Sequence, residues 1–256
     1  MVREHRIAEL RDYFRYLSEL DTQDQILFRG QKGDYPLRPR IARIKPRSSI
    51  LDDEKHMMRA LRRQSNQLLP RELLNSWEWL ALAQHHGMAT RLLDWTLNPL
   101  VALWFAVEKP PEKGQNGVVW VFKPAEADNV VDESDDPFAG KRTRVFTPSH
   151  VSARIRAQSG CFTVHKYLDA SRGFSPLDRI KIYRKRLTKL IIPADSFCDL
   201  RFGLDRCGFN QFSIYPDIDG LCRHIEWQNS IMADEDSERS PRRLRVIKVR
   251  PRHRGV

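Results

Sequence analysis

Apolar residues recur at helical spacing near the start of the chain. Ile7, Leu10, Phe14 and Leu17 fall on one face and predict an amphipathic helix over 5–20. The short apolar run QILFRG at 25–30 predicts a strand ending in glycine, and the Pro- and Arg-rich stretch after it predicts an ordered loop. Leu51–Leu69 reads as a helix with Asp52 and Asp53 near its positive end, followed by a second helix over 72–84 carrying Trp77 and Trp79. After a turn at GMAT, Asn98 and Pro99 are a cap and first-turn pair that open a helix through the apolar Leu100–Val107. Gly117–Phe122, GVVWVF, is the clearest central strand, and 125–140 is an acidic, Pro-bounded loop. Shorter strand patterns follow at 144–146, 159–165 and 187–193, with helices at 195–208 and from Leu221. Together these predict an α+β single domain with a helix-rich first half and more strand in the second. The boundaries read as 1–22 for the amphipathic helix, 23–228 for the domain and 229–256 for a basic tail.

Composition narrows the class. At 256 residues and 41% hydrophobic content the chain can bury a substantial core. No apolar run approaches a bilayer span and the charged start lacks a secretory signal pattern, which predicts a cytoplasmic protein with no membrane partner. The four cysteines show no zinc-ligand spacing and read as free thiols. Net charge is +11, and 237–256 carries eight Lys/Arg against one Glu, so +7 of it lies there. Charge so concentrated either attracts nucleic acid or is a solvated tail, and LRVIKVR would also suit a final edge strand.

Candidate chemistry gathers in ALAQHHGMATRLLDWTLNPLVALWFAV at 81–107, where Gln84, His85, His86, Thr90, Arg91 and Asp94 precede the apolar run. Buried charge must be paired, so groups kept there are either a structural Arg91–Asp94 pair or a site. His85 and His86 are adjacent; on a helix they point about 100° apart and cannot both face one site. Arg29, with Gly30 beside it, offers a planar fork of donors to phosphate or carboxylate at a strand end; Gly30 lets the backbone turn or approach a ligand. Arg38 and Arg40 add phosphate partners. Gln158 combines donor and acceptor without titrating, which suits orienting a ribose or an amide. Tyr215-Pro216-Asp217 is a turn or a carboxylate site.

Four blocks together, LFRGQ at 27–31, HHGMATRLLDWTLNPLVALWFA at 85–106, RIRAQSGCFTV at 154–164 and NQFSIYPDIDGL at 210–221, resemble the FRG-domain family. It is a bacterial and phage-associated group with no settled activity. More distantly, the order of motifs is similar to the NAD-dependent ADP-ribosyltransferase fold, a split and mostly antiparallel sheet. There an aromatic-Arg-Gly strand holds the phosphates and ribose of NAD, a Ser/Thr-containing strand and an Ala-x-x-Phe helix follow, and a Glu completes the site. Phe28-Arg29-Gly30, Ala89-Thr90-Arg91 and Ala102–Ala106 resemble the first elements. At the Glu position this chain has Gly160, with Gln158 two residues before it.

The resemblance implies NAD as a substrate, with Arg29, Gly30, Thr90, Arg91 and His85 binding it. Gln158, Asp94 and His86 are then the catalytic candidates, and a nucleic acid is the acceptor. A toxin or phage-defence setting also implies an inhibitory protein partner. Competing readings are a non-catalytic nucleotide or nucleic-acid binding module and a metal-dependent hydrolase using Asp94 and Asp217.

Overall fold

The computed structural model describes residues 2–235 apart from 22, 66–67, 69–74, 131–132, 149–155 and 170–172. The basic tail at 237–256 therefore lies outside the described residues, as do the first residues of the helix expected from 72. Seven strands form one sheet: β1 (Arg3–Arg6), β2 (Leu27–Gln31), β3 (Leu92–Thr96), β4 (Gly117–Phe122), β5 (Arg144–Phe146), β6 (Gly160–Val164) and β7 (Leu187–Ile192). Their spatial order is β1-β7-β4-β2-β3-β6-β5, antiparallel except for the β1–β7 pair. The α+β expectation holds, but strands are spread along the whole chain. The physical reason lies in β1 and β3: REHR is exposed throughout and LLDWT is buried at four of its five positions, so neither carries the period-two alternation of a half-buried strand.

Helices cover the two halves of the sheet separately. On the β2–β4–β7 half lie α1 (Leu10–Ser18), α4 (Pro99–Val107) and α6 (Phe197–Arg206), packed through Tyr13, Val101, Leu103 and Phe197. On the β3–β6–β5 half lie α2 (Ile50–Gln64) and α3 (Ser76–His85), packed through Met58, Trp77 and Leu80 against Leu92, Phe146 and Phe162. Strand β4 is buried on both faces, which explains its unbroken apolar run. Val119 and Val121 enter the core beneath α4, while Val118, Trp120 and Phe122 enter a separate core on the opposite face. A short helix α5 (Lys181–Arg184) precedes β7, and α7 (Gln211–Ile214) and α8 (Ile218–Gln228) close the described chain.

Local sequence sets the helix starts. Asn98 Oδ1 accepts from the backbone N–H groups of Leu100 and Val101, with Pro99 in the first turn, as the sequence predicts. Asn75 and Asn210 cap α3 and α7 in the same manner. The expected N-terminal helix is shorter than 5–20, because Arg3–Arg6 instead add an edge strand to β7. Tyr13 of α1 is fully buried, and its hydroxyl donates to the carbonyl of Pro99 at 2.7 Å, tying α1 to the start of α4.

Between the two halves the sheet nearly parts. Strands β2 and β3 are joined by one registered pair, Phe28 opposite Thr96, whereas β2 follows β4 along its whole length. The cleft that carries the candidate chemistry opens at this divergence.

Candidate functional site

A cavity of about 680 Å³ is lined by Phe28, Arg29 and Gly30 of β2, Gln84 to Gly87 at the end of α3, and Asp94 to Thr96 of β3. Phe105 of α4, Gln158, Gly160 and Phe162 around β6, and Tyr215 complete it. Segments far apart in the chain thus bring Arg29, Gly30, His85, His86, Asp94 and Gln158 to one place. Thr90 and Arg91 do not line it.

Arg29 sits where β2 and β3 diverge. Its Nη1 donates to the carbonyl of Asp94 at 2.6 Å and lies 3.9 Å from the Asp94 carboxylate, while Nε has no hydrogen-bond partner among the described residues. Only 19% of the side chain is exposed. Burial pushes the guanidinium below its usual pKa, opposed by Asp94 and assisted by the like charge of Arg43. Arginine stays charged regardless, so this geometry leaves a cation only partly neutralised at the cleft wall.

Among the described residues lining the cavity, Asp94 is the only carboxylate. Its Oδ2 accepts from Gln84 Nε2 at 2.9 Å, and Gln84 Oε1 in turn accepts from the Thr90 hydroxyl at 2.6 Å. Thr90 Oγ1 also accepts from the backbone of Leu92 at 3.1 Å. A chain of hydrogen bonds from Thr90 through Gln84 therefore fixes the rotamer of a carboxylate whose side chain is still 57% exposed. Thr90 acts on Asp94 from behind, and its expected contact with a ribose is corrected: its side chain is fully buried.

Arg91 is corrected likewise. It forms a buried bidentate pair with Glu54 of α2, with Nη2 to Oε2 at 2.6 Å and Nε 3.1 Å from both carboxylate oxygens. Its guanidinium also donates to the carbonyl of Phe138 at 3.2 Å and lies 4.7 Å from that ring's centroid. Arg91 therefore joins α2, the start of β3 and the 137–138 loop. Of the two alternatives the sequence left open, the structural Arg91–Asp94 pair is not formed; Asp94 pairs with Arg29.

The histidine pair departs from helical geometry. His85 ends α3, but His86 is its C-cap with φ −87° and ψ 14°, and the two rings meet edge to face 4.9 Å apart. Because the helix ends between them, both line the cavity. Gly87 follows with φ +77°, and its carbonyl accepts from the guanidinium of Arg40.

Gln158 is held by its own turn. Ser159 has φ +46°, a left-handed conformation that non-glycine residues seldom adopt. The Thr96 hydroxyl donates to the carbonyl of Gln158 at 2.5 Å, and the backbone of Leu97 to that of Ser159 at 3.0 Å. The Gln158 amide donates to the carbonyl of Ile214 at 3.3 Å. Strain kept at a cavity rim is characteristic of positions that aim a side chain.

Asp217 does not join the cavity. Its carboxylate caps α8 by accepting from Gly220 N–H at 2.7 Å, so the turn reading holds there. Among the described residues no group of three or more His, Cys, Asp and Glu side chains could hold a metal ion. All four cysteines are free, and burial raises the Cys161 thiol to about 12, which leaves it protonated and inert. No helix among the described residues is long and apolar enough to cross a membrane.

Fold and site define an α+β protein with an arginine- and aromatic-lined cleft at a parting of its sheet. Residues 24–115 match the family model of the FRG domain. The match covers β2, β3, α3 and α4, which supply Arg29, the histidine pair and Asp94, but stops before Gln158. No curated protein and no solved structure matches the chain.

Proposed function

We propose that the cleft binds a nucleotide, with NAD as the substrate and ADP-ribosyl transfer as the reaction. The observation that carries this is Arg29: a largely buried guanidinium, only partly neutralised by Asp94 at 3.9 Å, in the wall of a cavity of nucleotide size. A diphosphate supplies the missing charge and acceptors in bidentate geometry. Trp95, Phe105, Phe162 and Tyr215 supply flat apolar surface for rings. The arrangement also supports the motif order of the ADP-ribosyltransferase fold, since β2, β3 and β6 are neighbours around the cleft and α4 follows β3.

Asp94 takes the role that a Glu at position 160 would have had. When the bond between ribose C1′ and nicotinamide breaks, nicotinamide leaves with the bonding pair and positive charge grows on the sugar. A fixed carboxylate stabilises that charge. An acceptor oxygen or nitrogen then bonds to C1′ and yields its proton, for which His86 is within the cavity. Gln158 orients the ribose through its amide. The protein's positive charge makes a nucleic acid the acceptor class, in a toxin or phage-defence setting held in check by an inhibitory protein.

Titration calorimetry with NAD and a nicotinamide-release assay with RNA and DNA test this. Arg29→Ala removes charge-assisted hydrogen bonds of about 1.5–3 kcal/mol, so NAD affinity falls about 10- to 100-fold. Asp94→Asn retains binding and loses release. NAD affinity unchanged in Arg29→Ala, or no nicotinamide released by wild-type protein with any nucleic acid, overturns the transferase reading. The alternative, a binding module that holds the nucleotide without turnover, predicts Arg29-dependent binding with no release at all.

A further inference from the structure

The loop RPRIARIKPR at 38–47 carries Arg38, Arg40, Arg43, Lys45 and Arg47 and no acidic residue. It is rigidly placed. Residues Arg40–Arg43 form a 3₁₀ turn behind Pro39, Ile41 is fully buried, and Ile41 N–H donates to the carbonyl of Thr90 at 3.3 Å. Ile41 and Ile44 pack with Ala89 and Phe174, so the apolar residues of the loop point inward. Arg40, Arg43, Lys45 and Arg47 are exposed, and Arg38, Arg40, Arg43 and Lys45 form no ion pair with a described residue.

This ridge borders the cleft. Arg40 is bonded to the carbonyl of Gly87 in the cavity wall, and Arg43 is close enough to Arg29 to act on it electrostatically. Unneutralised arginines are kept along one side of a cavity walled by aromatic rings. We infer that 38–47 is a phosphate track for a single-stranded nucleic acid whose exposed base or end enters the cleft. This deepens the reading above by naming how the acceptor is held, and it rests on that reading only for what happens inside the cleft. Charge alone would suit any polyanion. The adjoining aromatic walls favour a strand whose bases can stack, and a paired duplex could not place a base in the cavity without unpairing it.

Fluorescence anisotropy of labelled single-stranded RNA and DNA against full-length protein, measured across salt, tests the track. Neutralising Arg38, Arg43 and Lys45 to Gln is expected to weaken binding at least 10-fold at low salt. The slope of log affinity against log salt should fall by about 2, given about 0.7 per phosphate contact on a single strand. Three controls accompany it: Arg242, Arg243 and Arg245 changed to Gln, the same oligonucleotide as a duplex, and vesicles rich in anionic lipid. The track is overturned if the ridge variant keeps its affinity and slope. It is equally overturned if the tail variant accounts for all the loss, or if duplex or vesicles bind as tightly as the single strand. NAD affinity falling in step with oligonucleotide affinity in the ridge variant also overturns it, because the loop would then belong to the nucleotide site. Ridge-dependent strand binding by a protein that does not bind NAD would instead sink the reading of the cleft and leave the track standing.

Discussion

Gly30 shows how a residue can be demanded by packing beside a site. A Cβ at that position would lie 1.8 Å from the carbonyl oxygen of Ala102 and 2.8 Å from the backbone nitrogen of Ala106, so β2 and α4 meet backbone to backbone. Both neighbours are helix backbone and cannot rotate away. Its expected use, close approach to a ligand or a sharp turn, is secondary to this contact with α4. The same close approach lets Phe28 enter the core beneath α4 while Arg29 stays at the cleft. Gly30→Ala is expected to lose at least the upper end of the about 1–3 kcal/mol typical of overpacking. A urea titration checks this, and a loss below about 1 kcal/mol would mean that α4 shifts to make room. Sequence singled out the right tripeptide here, but the partner that makes glycine necessary lies more than seventy residues away.

At the scale of elements, legibility followed periodicity. Strand β4 and helix α4 stand out because each is apolar almost throughout, and α6 because its stop at Cys207-Gly208 is written in the chain. Strand β1, REHR, is exposed at every position and exists only because β7 offers it an edge. The cavity residues Arg29, His85, His86, Asp94 and Gln158 were visible as polar groups beside apolar runs. That Arg91 stands outside the cavity was not, since it meets its partner Glu54 across 37 positions, nor that both histidines line it, which follows from α3 ending between them. That buried pair ties α2 to β3. Glu54→Gln strands a buried guanidinium and is expected to cost about 3–5 kcal/mol, whereas Glu54→Leu combined with Arg91→Met should recover most of it. Chemical denaturation measures both. A single-variant loss under about 1 kcal/mol would show that the 137–138 carbonyls suffice for Arg91.

For the molecule as a whole, acid stability turns on His165, which follows β6 directly and whose backbone N–H donates to the carbonyl of Arg91 at 3.0 Å, extending the β3–β6 pairing by one step. Trp95 Nε1 donates to the Thr163 hydroxyl at 2.9 Å, and that hydroxyl lies within hydrogen-bond distance of His165 Nε2 at 3.1 Å. Burial, with the positive charge of Arg29 adding to it and outweighing a contact with the Ser175 backbone, lowers this histidine to about 3. In the unfolded chain it titrates near 6.5. Between those values the unfolded state binds a proton that the folded state refuses, so acid weakens the fold and the contribution is flat above neutrality. The slope approaches about 1.4 kcal/mol per pH unit. Unfolding free energies of wild type and His165→Asn, measured at pH 7.5 and 5.0, isolate the effect because the other histidines are common to both. Wild type is expected to lose about 2 kcal/mol more than the variant over that interval. Equal losses would mean that His165 takes up its proton in the folded protein, with Thr163 and Trp95 rearranging at the cleft wall to allow it.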